Sequence, residues 1–421
     1  MVSVLPTVVV LLSFLARGTL ADPSRNAVEA LQLRMERGQV AFDKTDDHGY
    51  LKAVLKELRV PESSQLLVFS KTSLQRDRIT PKTPRAIYFN DDVYVGFCQR
   101  GDLIEISIAD KVFGTAFYTL SQDPEEKRGF VRQTESCLIC HGSSRTQGYA
   151  GHLLRSVYTD RIGMPILSAG TKAIDYTTPF EDRWGGWYVT GTHGKLEHRG
   201  NWVVGHQNDP TADDRSANQN VVDLNKRFTA NAYLTPYSDI VAMMTLDHQT
   251  ELHNRLARAT LITNEALTRQ ERMNRDLKER PDYRWESVTR QIQSVGEEVV
   301  KGLLFSGEAN FTDPIAGTSG FAEEFAGRGP FDDRKRSLRQ FDLKTRLFKY
   351  RCSCLIYSRT FAELPGEVKE YIWKRLDEVL SGRDRSEAFA HIPLNERQTI
   401  REILKATMAD VPKAFSEPRT K

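Results

Sequence analysis

Leu103-Ile104-Glu105-Ile106-Ser107-Ile108 alternates with a period of two, as a half-buried strand does. Runs of the same kind stand on both sides. Ala86-Ile87-Tyr88-Phe89 and Val93-Tyr94-Val95-Gly96-Phe97 precede it, Phe113 to Leu120 follows, and Leu66-Leu67-Val68-Phe69 lies upstream. Asn90-Asp91-Asp92 and Arg100-Gly101-Asp102 punctuate them as turns. The pattern predicts four or five strands, mostly antiparallel, in a meander.

Outside this block the period changes. Pro23 to Arg37 predicts a helix with Asp22 as cap and Gly38 at its end, and His48 to Leu58 predicts another, stopped by Pro61. Beyond about Ser238 helical text dominates: Ile240 to Leu261, Glu265 to Arg280, Trp285 to Leu304 and Pro365 to Leu380. Asn395 and Gln398 have the spacing of a capping box for a last helix. Glu308 to Pro330, rich in glycine and proline, reads as a long loop. The expected class is α+β: N-terminal antiparallel strands, an irregular middle and a helical C-terminal half. The expected division is 22–125, 126–235 and 236–421, after an export signal over 1–21.

That signal is the apolar run from Val2 to Ala16, with Thr19-Leu20-Ala21 as small residues for cleavage, although no Lys or Arg precedes the run. It is short for a spanning helix, which needs ~20 residues. An uncleaved anchor or a buried N-terminal helix is the bland alternative. The expected location is the periplasm, or another exported compartment. At 39% hydrophobic and 27% charged, the chain can bury a sizeable core. A formal charge of +3 argues neither for nucleic acid nor for an anionic membrane.

The irregular middle contains Cys137-Leu138-Ile139-Cys140-His141, the C-x-x-C-H signal for a covalent c-type haem. Two thiols three residues apart lie near one face of a helical turn and can reach both vinyl groups of one porphyrin. The following histidine then offers a nitrogen to the iron. A redox C-x-x-C wants a strand before it and a helix after it. A zinc pair wants a second ligand pair, and only His152 lies at a usable distance downstream. Haem binding and export support each other, because this haem is attached outside the cytoplasm. If haem takes two of the five cysteines, Cys98, Cys352 and Cys354 remain. Cys352 and Cys354 are too close for a relaxed bridge, so the expected disulfide joins Cys98 to one of them, with buried free thiols as the alternative.

Candidates for the sixth iron position are His193, in a Gly-flanked turn, and Met164, followed by proline as in the ligand loop of small c-type cytochromes. His152 and His248 come after them, and each also has an ordinary core or surface reading. His248 and His253 are five apart on a helix and therefore splay. Trp184 and Trp187, flanking Gly185-Gly186, can pack on a flat cofactor or serve as core aromatics. The basic run Arg334-Lys335-Arg336, with Arg339, Lys344, Arg346, Lys349 and Arg351, suits haem propionates, an acidic partner or a solvated face.

Glu135 to Gly142, Arg183 to Gly194 and Ser337 to Phe348 together resemble a group of large exported bacterial proteins carrying one cytochrome c-type haem motif. The resemblance implies haem c, with its iron, at Cys137, Cys140 and His141, and an electron-transfer role. It carries over no catalytic residue, and the strand-rich text departs from the all-helical small cytochrome c domain. The first expectation is a periplasmic c-type cytochrome passing single electrons to or from a redox partner protein. The chain is larger than a carrier needs, which motivates a second reading: a haem c enzyme with an open distal site, of peroxidase-like or small-oxide chemistry. A third is a non-enzymatic module whose haem or metal is structural.

Overall fold

The computed structural model describes residues 26–45, 47–126, 129–205, 215–409 and 411–412. The expected export signal over 1–21 and the expected helix start at Asp22 and Pro23 lie outside them. The first described helix is α1, Ala27–Glu36, and Asn26 is its cap, accepting from the amides of Val28 and Glu29. Helix α2 follows at Leu51–Glu57.

The expected α+β class is what the chain adopts. Strands β1 (Leu66–Val68), β2 (Arg85–Phe89), β3 (Val93–Phe97), β4 (Leu103–Asp110), β5 (Gly114–Ser121) and β6 (Phe130–Arg132) form an antiparallel meander. After the one-turn helix α3, Leu138–His141, a small ladder pairs β7 (Arg155–Val157) with β8 (Thr171–Ala173). Strand β9, Trp187–Tyr188, then pairs with β1 and completes a seven-stranded sheet in the order β6-β5-β4-β3-β2-β1-β9.

The alternation seen in the sequence decides what each face does. Tyr88, Val95, Ile104, Ile106 and Tyr118 turn to one side and pack with Val28, Leu31, Leu51, Val54 and Leu55 of α1 and α2. Leu66, Val68, Phe89 and Tyr94 turn to the other side and join the core of the helical half. On that second face two cross-strand rows matter below. One runs Phe89, Tyr94, Ser107, Phe117 and the next Ile87, Gly96, Glu105, Thr119.

The helical half is built on α4, Ile240–Asp276, capped by Asp239. Two helices were expected here. Ile262-Thr263-Asn264 contains no glycine or proline, and Thr263 and Ala266 are buried, so packing carries the helix through. Helix α5 (Glu286–Leu303) packs on α4. The expected loop over 308–330 contains α6, Phe321–Gly327, held by buried Phe321 and Phe325. Helices α7 (Arg359–Ala362), α8 (Gly366–Leu380) and α9 (Leu394–Thr407) complete the layer. Helix α9 starts after Pro393 with no side-chain cap, so Asn395 lies inside it and the expected capping box is not made. No helix among the described residues is long and apolar enough to cross a membrane.

Candidate functional site

The C-x-x-C-H stretch folds as one helical turn, with Cys137 in helical backbone as the residue before α3. Cys137 is half-buried, Cys140 is exposed, and Ile139 between them is 78% exposed. The two thiols are therefore not sealed in packed side chains. Burial pushes the Cys137 thiol above its ordinary pKa, Glu105 adds to the shift and Arg85 opposes it.

His141 is held from two sides. Its Nδ1 is 2.9 Å from the Gly151 carbonyl oxygen, which can only accept, so Nδ1 carries the proton and Nε2 keeps a lone pair. The Gly151 amide donates back to the His141 carbonyl, also at 2.9 Å. The ring packs against Phe117 of β5, centroids 4.8 Å apart. Burial lowers its pKa, which favours the neutral ring. A neutral imidazole fixed at Nδ1 by a backbone carbonyl is the form that ligates a metal through Nε2. With Cys137 and Cys140 on the same turn, these residues fit a covalently attached haem.

The sheet supplies the floor. Phe117 lies opposite Ser107, and Ser107 opposite Tyr94. Ser107 Oγ is 3.2 Å from His152 Nε2, and His152 packs on Tyr94 with centroids 4.3 Å apart. Asn254 of α4 pins the backbone of His152 at both its amide and its carbonyl. Burial holds His152 well below its ordinary pKa, and the neighbouring His253 and His141 add to the effect. In the next row Arg85 and Glu105 form an ion pair at 2.5 Å, and Glu105 also accepts from Ser73 at 3.2 Å and Gln75 at 3.0 Å.

The two expected sixth ligands sit elsewhere. His193 is 1% exposed, and its Nε2 accepts from the Asn220 amide at 2.9 Å. Its neighbour is His198, centroids 4.8 Å apart, and the described contacts of His141 include neither ring. The expected mobile turn is thus a packed one, and the nitrogen best suited to a metal is already engaged. Met164 is 44% exposed on a loop whose Gly163 carbonyl accepts from Lys71. No described contact joins it to His141. His248 and His253 splay as expected: His248 stacks on Phe305, centroids 4.0 Å apart, and His253 faces Tyr94 and His152.

Other expectations are corrected by packing. Trp184 and Trp187 are core aromatics, with Trp184 fully buried and its Nε1 donating to Asp247 at 2.9 Å. The basic run is largely spent on internal carboxylates: Arg336 on Asp332 and Glu402, Arg339 on Asp91, and Arg346 and Arg351 on Glu396. Cys98, Cys352 and Cys354 are all free and buried, so the expected disulfide is absent. Cys352 and Cys354 belong to the helical core, whereas Cys98 follows β3 in the sheet.

Sequence reading missed the carbonyl of Gly151, the ring of Phe117 and the Arg85–Glu105 pair. One signal was present: Glu105 is a charged residue inside a strand, answered by an arginine two strands away across a glycine. Among the described residues, no three His, Cys, Asp or Glu side chains converge as a metal site. Haem iron does not need such a group, since the porphyrin supplies four nitrogens. No known protein family, curated protein or solved structure matches the chain.

Proposed function

We propose that this protein is c-type cytochrome-like, holding one covalent haem and transferring single electrons in an exported, periplasm-like compartment. The observation that carries the reading is the His141 arrangement: Nδ1–H donates to Gly151 O, and Nε2 is left to bind iron on the turn that bears both thiols. Cys137 and Cys140 are the attachment points, and the helical turn sets their spacing. When bound, the haem supplies a one-electron couple. Gly151 orients the His141 ring and keeps it in the ligating tautomer. Phe117 supports that ring from the sheet side. Exposed Ile139, between the two sulfurs, gives a redox partner protein an apolar point of approach close to the haem edge.

The test is the alkaline pyridine spectrum of the full chain, expressed in a host that attaches haem to exported C-x-x-C-H proteins. The expected result is one covalently bound haem per chain, lost in the double variant Cys137→Ala, Cys140→Ala. A colourless wild-type protein removes the reading. Carbon monoxide added to the reduced protein then separates a carrier from an enzyme. An unchanged spectrum fits the carrier, and a shifted one opens the distal position to chemistry.

A further inference from the structure

Arg85 projects from β2 towards β4 over Gly96 of β3. A Cβ at position 96 would lie 2.2 Å from an Arg85 terminal nitrogen and 2.8 Å from its Cζ, so only glycine leaves this path clear. Glu105 meets the guanidinium at 2.5 Å and is itself fixed by Ser73 and Gln75. The pair is sheltered, with side chains 20% and 14% exposed. The Arg85 Nε–H is buried and has no acceptor among the described residues, so the cation is not fully spent on Glu105.

The position of the pair matters more than its strength. Glu105 neighbours Ser107 on the same strand face, and Ser107 lies opposite Phe117, the residue under the His141 ring. Among the described residues, Arg85 and Glu105 are the charged side chains whose fields reach both Cys137 and His141. In a sheltered site such fields are weakly screened. A single ion pair that no core contact requires, aimed at the motif from the sheet, needs a purpose there.

We propose that the Arg85–Glu105 pair sets the reduction potential of the haem held at Cys137, Cys140 and His141. Arg85 supplies the positive charge, and Glu105 and Gly96 position it. The proposal rests on the haem reading above. Reduction adds one electron to the iron, so a nearby cation favours the reduced form and a nearby anion the oxidised form.

The experiment is potentiometric titration of the haem-loaded full chain, followed by its visible bands, after the pyridine spectrum has established haem content. Arg85→Gln should lower the midpoint, Glu105→Gln should raise it, and the double variant should return towards wild type. Arg85→Lys, which keeps the charge, should stay near wild type and separates an electrostatic role from a packing one. Far-ultraviolet circular dichroism checks that each variant is folded. Haem-loaded variants whose midpoints do not move, or move in the same direction, overturn the proposal and leave the haem reading standing. Wild type without covalent haem overturns both.

Discussion

The phenol of Tyr94, on β3, and Nδ1 of His253, on α4, lie 2.8 Å apart in a fully buried contact between sheet and helix. Gln249 Nε2 donates to the same phenolic oxygen at 3.1 Å, which turns the phenolic hydrogen towards His253. Removing that hydroxyl strands a ring nitrogen and an amide in the interior. Tyr94→Phe should cost about 1–3 kcal/mol, read as a lowered denaturation midpoint with an unchanged slope. A midpoint equal to wild type refutes the contact.

Acid should weaken the protein through its buried histidines. Burial pushes His198 and His248 down to about 3 and His253 down to about 4, against an ordinary value of about 6.5 when unfolded. Between about pH 4 and 6.5 the unfolded chain binds protons that these rings refuse, so stability falls as pH falls. Asp247, pushed up to about 7 by burial, acts oppositely: it keeps its proton when folded and loses it when unfolded. Three rings outweigh one carboxyl. The expected result is a denaturation midpoint that drops from pH 6.5 to 4.5, and drops more steeply in Asp247→Asn. A flat profile excludes this arrangement.

The Asp247 carboxyl is fully buried and engages Arg183 at 3.2 Å and Trp184 Nε1 at 2.9 Å through one oxygen. Arg183 also donates to the carbonyls of Thr178 and Tyr176. Arg183→Met leaves those three acceptors without their donor and should cost about 3–5 kcal/mol. A loss under about 1 kcal/mol, measured by urea unfolding, would contradict the buried pair.

The strand block was the most legible part of the chain, because Ile104, Ile106 and Ile108 alternate and the turns at 90–92 and 100–102 are polar. Helix ends were read less well. Asn26, not Asp22, caps α1 among the described residues, and α4 runs through a Thr-Asn pair that propensity alone would weaken. The attachment turn was legible as a motif. Its setting was not, since Gly151 acts through a backbone carbonyl and Phe117 through a strand register, and neither leaves a residue-type signature. His193 misled because a Gly-flanked histidine looks free until Asn220 is seen to bind it.

A strained turn offers a separate check. Gly163 has a φ of +87°, and a Cβ there would lie 2.4 Å from the Phe69 carbonyl oxygen. Backbone cannot swing aside as a side-chain tip can. Gly163→Ala should destabilise by about 1–3 kcal/mol, whereas Gly327→Ala, in open space, should not. Equal thermal midpoints for the two variants would count against this packing.

Arginines within one basic run should behave unequally. Arg339 is 5% exposed, binds the Asp91 carboxylate through both terminal nitrogens and donates to the Gly329 carbonyl at 2.8 Å. Arg334 has a side chain 74% exposed. Arg339→Ala should unfold at markedly lower urea than Arg334→Ala, which should match wild type. Similar losses in both would show that position in the run, and not burial, governs them.

The sheet is finished at one margin by Trp187–Tyr188, which arrive far downstream of the strand they complete. While the polypeptide is still emerging, β1 therefore carries one side of open backbone groups after every other strand of the meander exists. Translation products that stop between β6 and β9 keep that side bare and should self-associate through it. A polypeptide carried past Tyr188 brings its own covering strand.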